Sequence, residues 1–132
     1  MKWLKRIFGI SATPIPGDDD GWAYENGSIR LQLERMPEVR HPGSAVRLEG
    51  KGLPVRILVV HGQDGRFHAF ANRCTHMGRR IDILPGTDRI ECCSVSKSTY
   101  DYSGQPLGGA AKKPLRVFTA TASDTELTIK LG

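Results

Sequence analysis

Glycine and proline punctuate this chain from end to end, 15 and 8 of them in 132 residues. No segment between them carries a helical repeat over as many as about ten residues, so long helices are excluded before any other feature is read. The intervals instead hold short apolar runs with turn residues on either side, the pattern of many brief strands. At this length the chain suits one domain. With 39% hydrophobic and 25% charged residues it has enough apolar surface to fold.

Periodicity starts at Ile29, where Ile29, Leu31 and Leu33 alternate with Arg30, Gln32 and Glu34 as on a half-buried strand. Residues 45–48 form a second candidate strand after Pro42-Gly43. Residues 55–61 form a third, so continuously apolar that it reads as central. Gln63-Asp64-Gly65 turns the chain into residues 67–72, which predicts a hairpin. Further strands are expected at 89–93, 99–102, 115–122 and 126–131, and no internal repeat is found. The fold class expected is all-β, an antiparallel β-sandwich or small barrel. Residues 1–27 read as an irregular leader, broken by Pro14, Pro16, Gly17 and the acidic run Asp18 to Asp20. The domain is assigned to residues 28–132.

No apolar run approaches the roughly 18 residues of a spanning helix. Lys2, Lys5 and Arg6 stand among Trp3, Leu4, Ile7 and Phe8, but the apolar stretch is shorter than a signal sequence requires, so a cytoplasmic location is expected. Residues 1–9 read as a frayed basic terminus, or as a short amphipathic helix making weak contact with a membrane surface. Nineteen Lys and Arg against 14 Asp and Glu give a net charge of +5. That excess favours an acidic partner without approaching the balance of a nucleic-acid packaging protein, and no nucleic-acid partner is expected.

Three cysteines, Cys74 and the neighbours Cys92 and Cys93, make a poor disulfide framework and read as ligands or thiols. Cys74 and His76, two apart in a loop leaving a strand, can both turn towards one metal. Cys93 supplies a second loop, with residues 77–92 between it and His76. A set of Cys74, His76, Cys92 and Cys93 has the ligand count of a mononuclear site such as zinc. Adjacent strand residues face opposite ways, however, so that set requires a bulge at Cys92.

On these residues the sequence resembles the Rieske iron–sulfur family, whose domains carry Cys-x-His and Cys-x-x-His loops at this separation. Gly65, Ala69 and Asn72-Arg73 precede the first loop, and Ser98, Tyr100, Asp101 and Gly104 follow Cys93, at the family's spacing. The resemblance covers roughly residues 43–131. It implies a Rieske-like β-sandwich with the two ligand loops side by side at one end and a 2Fe-2S cluster as cofactor. Ser98 and Tyr100 would be the hydroxyl donors to a bridging sulfide and a cysteine sulfur. One position departs: aligned on Cys93, the second histidine falls on Ser96, and Ser94 and Lys97 replace the usual proline and glycine. Aligning on Cys92 places Val95 there instead and disrupts the match at Tyr100 and Asp101. The loop cysteines that pair in respiratory members are absent, with Arg79 and Val95 in their places, and the third loop reads Gly109-Ala110-Ala111.

The resemblance implies a small electron carrier or redox subunit more readily than a stand-alone enzyme, moving single electrons between a reductase and an oxidoreductase partner. The alternatives are a cluster-free Rieske fold serving as an interaction or regulatory module, and the three-cysteine, one-histidine metal site. Arg79-Arg80 and Lys112-Lys113 flank the loops and are candidates for steering an acidic partner. His41, His61 and His68 read as packed or solvated residues. No P-loop, dinucleotide fingerprint or triad is present, and nothing supplies an oxyanion site for a His76 and Cys93 pair, so hydrolysis is set aside.

Overall fold

A computed structural model of the chain describes residues 11–75, 78–93 and 98–131. Eleven short strands are present among these residues: β1 (Trp22–Glu25), β2 (Ser28–Gln32), β3 (Ser44–Leu48), β4 (Ile57–His61), β5 (Phe67–Ala71), β6 (Ile81–Ile83), β7 (Arg89–Cys92), β8 (Thr99–Asp101), β9 (Pro106–Gly108), β10 (Val117–Ala122) and β11 (Glu126–Lys130). The only helical turns described are three-residue 3-10 segments. The strands form a 7-stranded sheet in the order β1-β2-β11-β10-β5-β4-β3 and a 4-stranded sheet in the order β6-β7-β8-β9. Every pairing is antiparallel. The large sheet curls at β10, whose residues Val117 and Phe118 pair with β5 while Thr119 to Ala122 pair with β11. The all-β class inferred from turn spacing is the class observed.

Strands β3, β4 and β5 explain the continuous apolar run at 57–60, because they are covered on both faces. Val46, Leu48, Ile57, Val59, Ala69 and Ala71 point into one core with Trp22, Ile29, Leu31, Leu127 and Ile129. The alternate residues Ala45, Leu58, Val60 and Phe70 point into a second core with Cys74, Ile81, Ile90, Cys92 and Tyr100. Strand periodicity thus sends one side of the central hairpin to the scaffold and the other to the loops. The β4–β5 hairpin closes through Gly62 to Gly65, with His61 opposite Phe67. Gly104, at φ +87°, turns β8 towards β9, and its carbonyl accepts from the Leu115 amide at 2.7 Å. A Cβ there would collide with the Leu115 carbonyl, so glycine is required twice over.

The stretch assigned to an irregular leader is corrected in its second half. Trp22 to Glu25 pair with Leu31 to Ser28 as a β-hairpin, and Trp22 is buried in the first core. Glycines and the acidic run hid a strand of only four residues. Upstream, Asp82 on β6 accepts four hydrogen bonds from residues 11–13: Ser11 Oγ at 2.6 Å, the amides of Ala12 and Thr13 at 3.0 and 3.1 Å, and Thr13 Oγ1 at 2.6 Å. The Arg47 amide on β3 donates to Pro14 O at 2.9 Å. Residues 11–14 are therefore a strap tying the edge of the large sheet to the small one. Residues 1–9, the candidate membrane-contact segment, lie outside the described residues. No helix among the described residues is long and apolar enough to cross a membrane.

Candidate metal centre

The two cysteines at the family's ligand positions are set on one short segment of backbone. Cys74 leaves the end of β5, and its amide donates to Arg79 O at 2.7 Å; the Cys93 amide, just past β7, donates to Arg80 O at 2.9 Å. Consecutive carbonyls therefore hold the bases of both loops. Gly78 closes the first loop by donating to Cys74 O at 2.8 Å. Both thiols are buried and neither is in a disulfide. Burial, reinforced by Asp82 and Cys92, pushes the Cys93 thiol up to about 11. A metal held there would have to displace a proton that the thiol keeps at neutral pH.

Cys92 is placed differently. Ile81 lies opposite Cys92, Asp82 opposite Glu91 and Ile83 opposite Ile90, a regular ladder without a bulge at Cys92. Cys92 is thereby in phase with Ile90 and packs in the second core, while Cys93 is turned the other way. Among the described residues no three His, Cys, Asp or Glu side chains converge as a metal site. His76 and Ser96 lie outside the described residues.

Tyr100 is fully buried, and its hydroxyl sits where the first loop turns. It accepts from the Thr75 amide at 3.1 Å, lies 3.0 Å from Thr75 Oγ1 and 3.4 Å from Cys74 Sγ. Thr75 Oγ1 donates its single proton to Lys113 O at 2.9 Å, which leaves the tyrosine proton for Cys74 Sγ or Thr75 Oγ1. A ligating thiolate can only accept, so ligation of Cys74 would direct that proton onto the sulfur. Burial, then the bond to Cys74, pushes the Tyr100 phenol up to about 12 and keeps the donor protonated. Ser98, also fully buried, accepts the Ala111 amide at 3.1 Å on Oγ, and its carbonyl accepts from the Cys92 amide at 2.8 Å. The third loop is thus fastened to both ligand loops, through Ala111 to Ser98 and through Lys113 to Thr75.

Spacing did not reveal the clamp around the first loop. Arg56 donates to Asn72 O at 3.0 and 3.1 Å and to Gly78 O at 2.9 Å, spanning the loop's two ends. Asn72 Oδ1 accepts the Ile81 amide at 2.6 Å; since that bond needs an oxygen, the amide orientation is fixed, and Asn72 Nδ2 remains a buried donor without a partner. Arg80 donates to Glu49 through Nε and Nη2, at 2.8 and 2.9 Å, and Arg47 adds a third contact at 2.9 Å. Only the basic character of Arg56 and Arg80 was visible in the sequence; their partners come from β3, β5 and the loop. Of the histidines outside the loops, His41 is exposed, while His61 and His68 have partners. His61 Nδ1 lies 2.9 Å from Val39 O, and His68 meets Asp64 at 2.8 Å and stacks on Tyr102.

A Rieske [2Fe-2S] domain model matches residues 31–119, and the chain belongs to that family. The ferredoxin of carbazole 1,9a-dioxygenase from Nocardioides aromaticivorans IC177 superposes with a TM-score of 0.64 at 19% identity, over 81% of this chain and 100% of that one. The plasma membrane Rieske protein PetC3 from Synechocystis PCC 6803 gives 0.53 at 22% identity, over 64% and 85%. The quaternary ammonium Rieske monooxygenase CntA, in its apo form, gives 0.59 at 15% identity, with 89% of this chain matching 34% of that one. These likenesses show the fold. No curated protein matches the sequence. The family's cofactor is a 2Fe-2S cluster, and two buried thiols with a buried hydroxyl against one sulfur suit its two-cysteine iron.

Proposed function

We propose that the chain is a small Rieske-type electron carrier of the cytoplasm, passing single electrons between a reductase and an acidic oxidoreductase partner. Cys74 and Cys93 would hold one iron, and His76 and Ser96 are the residues assigned to the other. A bound cluster supplies one-electron redox chemistry at a potential that its ligands and hydrogen bonds set. The chain's own residues do the rest. Tyr100 donates a hydrogen bond to the Cys74 thiolate, Ser98 is pinned by Ala111, and Arg56 keeps the first loop closed. Cys92 packs in the core and takes no part in ligation. The contact between the buried Tyr100 hydroxyl and Cys74 Sγ carries this reading, because it puts a hydroxyl against the sulfur of a residue at the family's ligand position. A serine ligates as alkoxide or weakly as hydroxyl, which lowers the potential relative to imidazole.

Anaerobic reconstitution with iron and sulfide tests this. About two irons and two acid-labile sulfides per chain are expected, and Ser96→His should move the electron paramagnetic resonance spectrum towards the low average g of Rieske centres. If Ser96→His combined with Lys97→Gly takes up no iron, the electron carrier is ruled out and a cluster-free interaction module stands in its place. One zinc per chain that Cys92→Ala abolishes would assign the three-cysteine, one-histidine site instead.

A further inference from the structure

Beside Cys74 lies an open groove of about 570 Å³, lined by Val55, Ala71, Arg73, Cys74, Thr75, Gly78, Lys113, Pro114 and Arg116. Its apolar lining is Val55, Ala71 and Pro114. Its cationic lining is Arg73, Lys113 and Arg116, and no carboxylate is among the described residues that line it. An apolar centre with a polar rim is the anatomy of a protein interface. We propose that this groove, with Arg73, Lys113 and Arg116 around it, is where the partner docks, and that the partner presents an acidic segment to it. The inference rests on the electron-carrier reading and adds the surface through which the carrier meets its partner.

Three observations converge on it. First, of the basic pairs adjacent in sequence, Arg80 is committed to Glu49, which also holds Arg47, whereas Lys113 lines the groove. Second, Arg73 and Lys113 are exposed and meet no carboxylate among the described residues, while Arg116 lies over the Phe118 ring and donates to Leu131 O at 3.1 Å. The positive potential is therefore left uncompensated at this place. Arg56, clamped under the same loop, is held below its usual basicity by burial and by the nearby Arg80 and Arg73 charges. Third, the wall of the groove is Cys74 itself, so a segment seated there lies against a ligand of the redox centre. A nucleic acid would also answer the charge, but no aromatic side chain lines the groove to stack a base.

The test uses the full 15N-labelled chain, loaded by reconstitution where it takes up iron, titrated with a peptide of Glu and Asp around a central Leu. Saturable shifts are expected at the amides of Arg73, Thr75, Lys113 and Arg116. Arg73→Glu with Lys113→Glu should weaken binding by about tenfold or more, and the charge-matched pair Arg30→Glu with Arg40→Glu by about twofold at most. If the reversal disturbs folding, seen as collapse of spectral dispersion, Arg73→Gln with Lys113→Gln gives the same ranking with smaller effects. Shifts spread over all basic residues, equal losses in the two pairs, or tighter binding at the same amides by a single-stranded oligonucleotide would overturn the proposal. Localised peptide binding by a chain that takes up no iron would keep the groove and remove the electron carrier. A chain that carries the cluster but shows no localised binding would do the reverse.

Discussion

The cores on the two faces of β3, β4 and β5 differ in what they bury. Inside the 7-stranded sheet the core is aliphatic and aromatic, with Ile29, Leu31, Leu48, Ile57, Leu127 and Ile129 fully enclosed. Around the 4-stranded sheet the burial includes Cys74, Cys92, Tyr100 and Ser98, and the four buried polar residues described, Thr13, Asn72, Glu91 and Ser98, all belong to that side or to its strap. The large sheet is held by non-directional burial, which tolerates small shifts in position. The small one is held by directed hydrogen bonds, which fix a thiol relative to a hydroxyl. A scaffold and a site are thus segregated along the two faces of β3, β4 and β5.

The largest effect is expected where the scaffold is cut. Ile129→Ala removes a fully buried side chain on β11 and should cost about 2–5 kcal/mol in urea unfolding, with probes in both sheets melting together. A loss under about 1 kcal/mol would show that this core relaxes freely and that the contrast between the sheets is overstated.

Next comes the strap. Asp82→Asn keeps the shape but removes the charge from four hydrogen bonds, and a cost of about 1–3 kcal/mol is expected. Amide exchange at Ala12 and Thr13 should accelerate while β2 and β11 stay protected. Unchanged protection of the strap would mean that Asp82 does not hold it.

The scaffold was the more legible half in the sequence. Alternation at Ile29 to Leu33 and continuity at 57–60 state which faces are covered, because burial acts through composition and period. Strands β1, β6 and β9, of three or four residues, carry too little period to be read, and β6 and β9 exist because neighbours offer a ladder. At the site, the Cys74, Cys93, Ser98 and Tyr100 spacing identified the family. The Arg56 clamp, the Thr75 relay to Lys113 and the Arg80–Glu49 pair join residues remote in sequence, and no local pattern marks them.

Glu49 links the two halves and predicts a pH dependence. Hydrogen bonds from Arg80, with Arg47 assisting, lower its carboxyl from 4.5 to about 2. A depressed acid contributes stability that is fully present above its unfolded value and lost as pH falls through the folded one. Stability should therefore decline between about pH 5 and pH 2, by about 1–2 kcal/mol after allowance for partial exposure. Glu49→Gln should remove that part of the decline in acid titrations followed by fluorescence. An identical slope in the variant would assign acid sensitivity to other carboxylates.

The smallest effect on stability, and the sharpest on the site, is expected from Tyr100→Phe. The ring still fills the second core, and only the hydroxyl is lost, so a cost of about 1 kcal/mol is expected, mainly from the Thr75 amide left without its acceptor. In the loaded protein, losing a donor to Cys74 Sγ destabilises the more negative, reduced state, so the reduction potential should fall. Tyr102→Phe is the matched comparison. Its hydroxyl accepts the Gln63 amide at 3.2 Å and its ring stacks on His68, so its hydroxyl is engaged elsewhere than at Cys74. The two tyrosines stand two residues apart, so both variants lose the same group from neighbouring positions, and protein-film voltammetry can compare them directly. A fall in potential for Tyr100→Phe alone would tie the directed bonds of the small sheet to electron transfer. Equal potentials in both variants would leave the Tyr100 hydroxyl as a loop fastener, holding Thr75 and through it Lys113, and the small sheet's polar core would then serve architecture only.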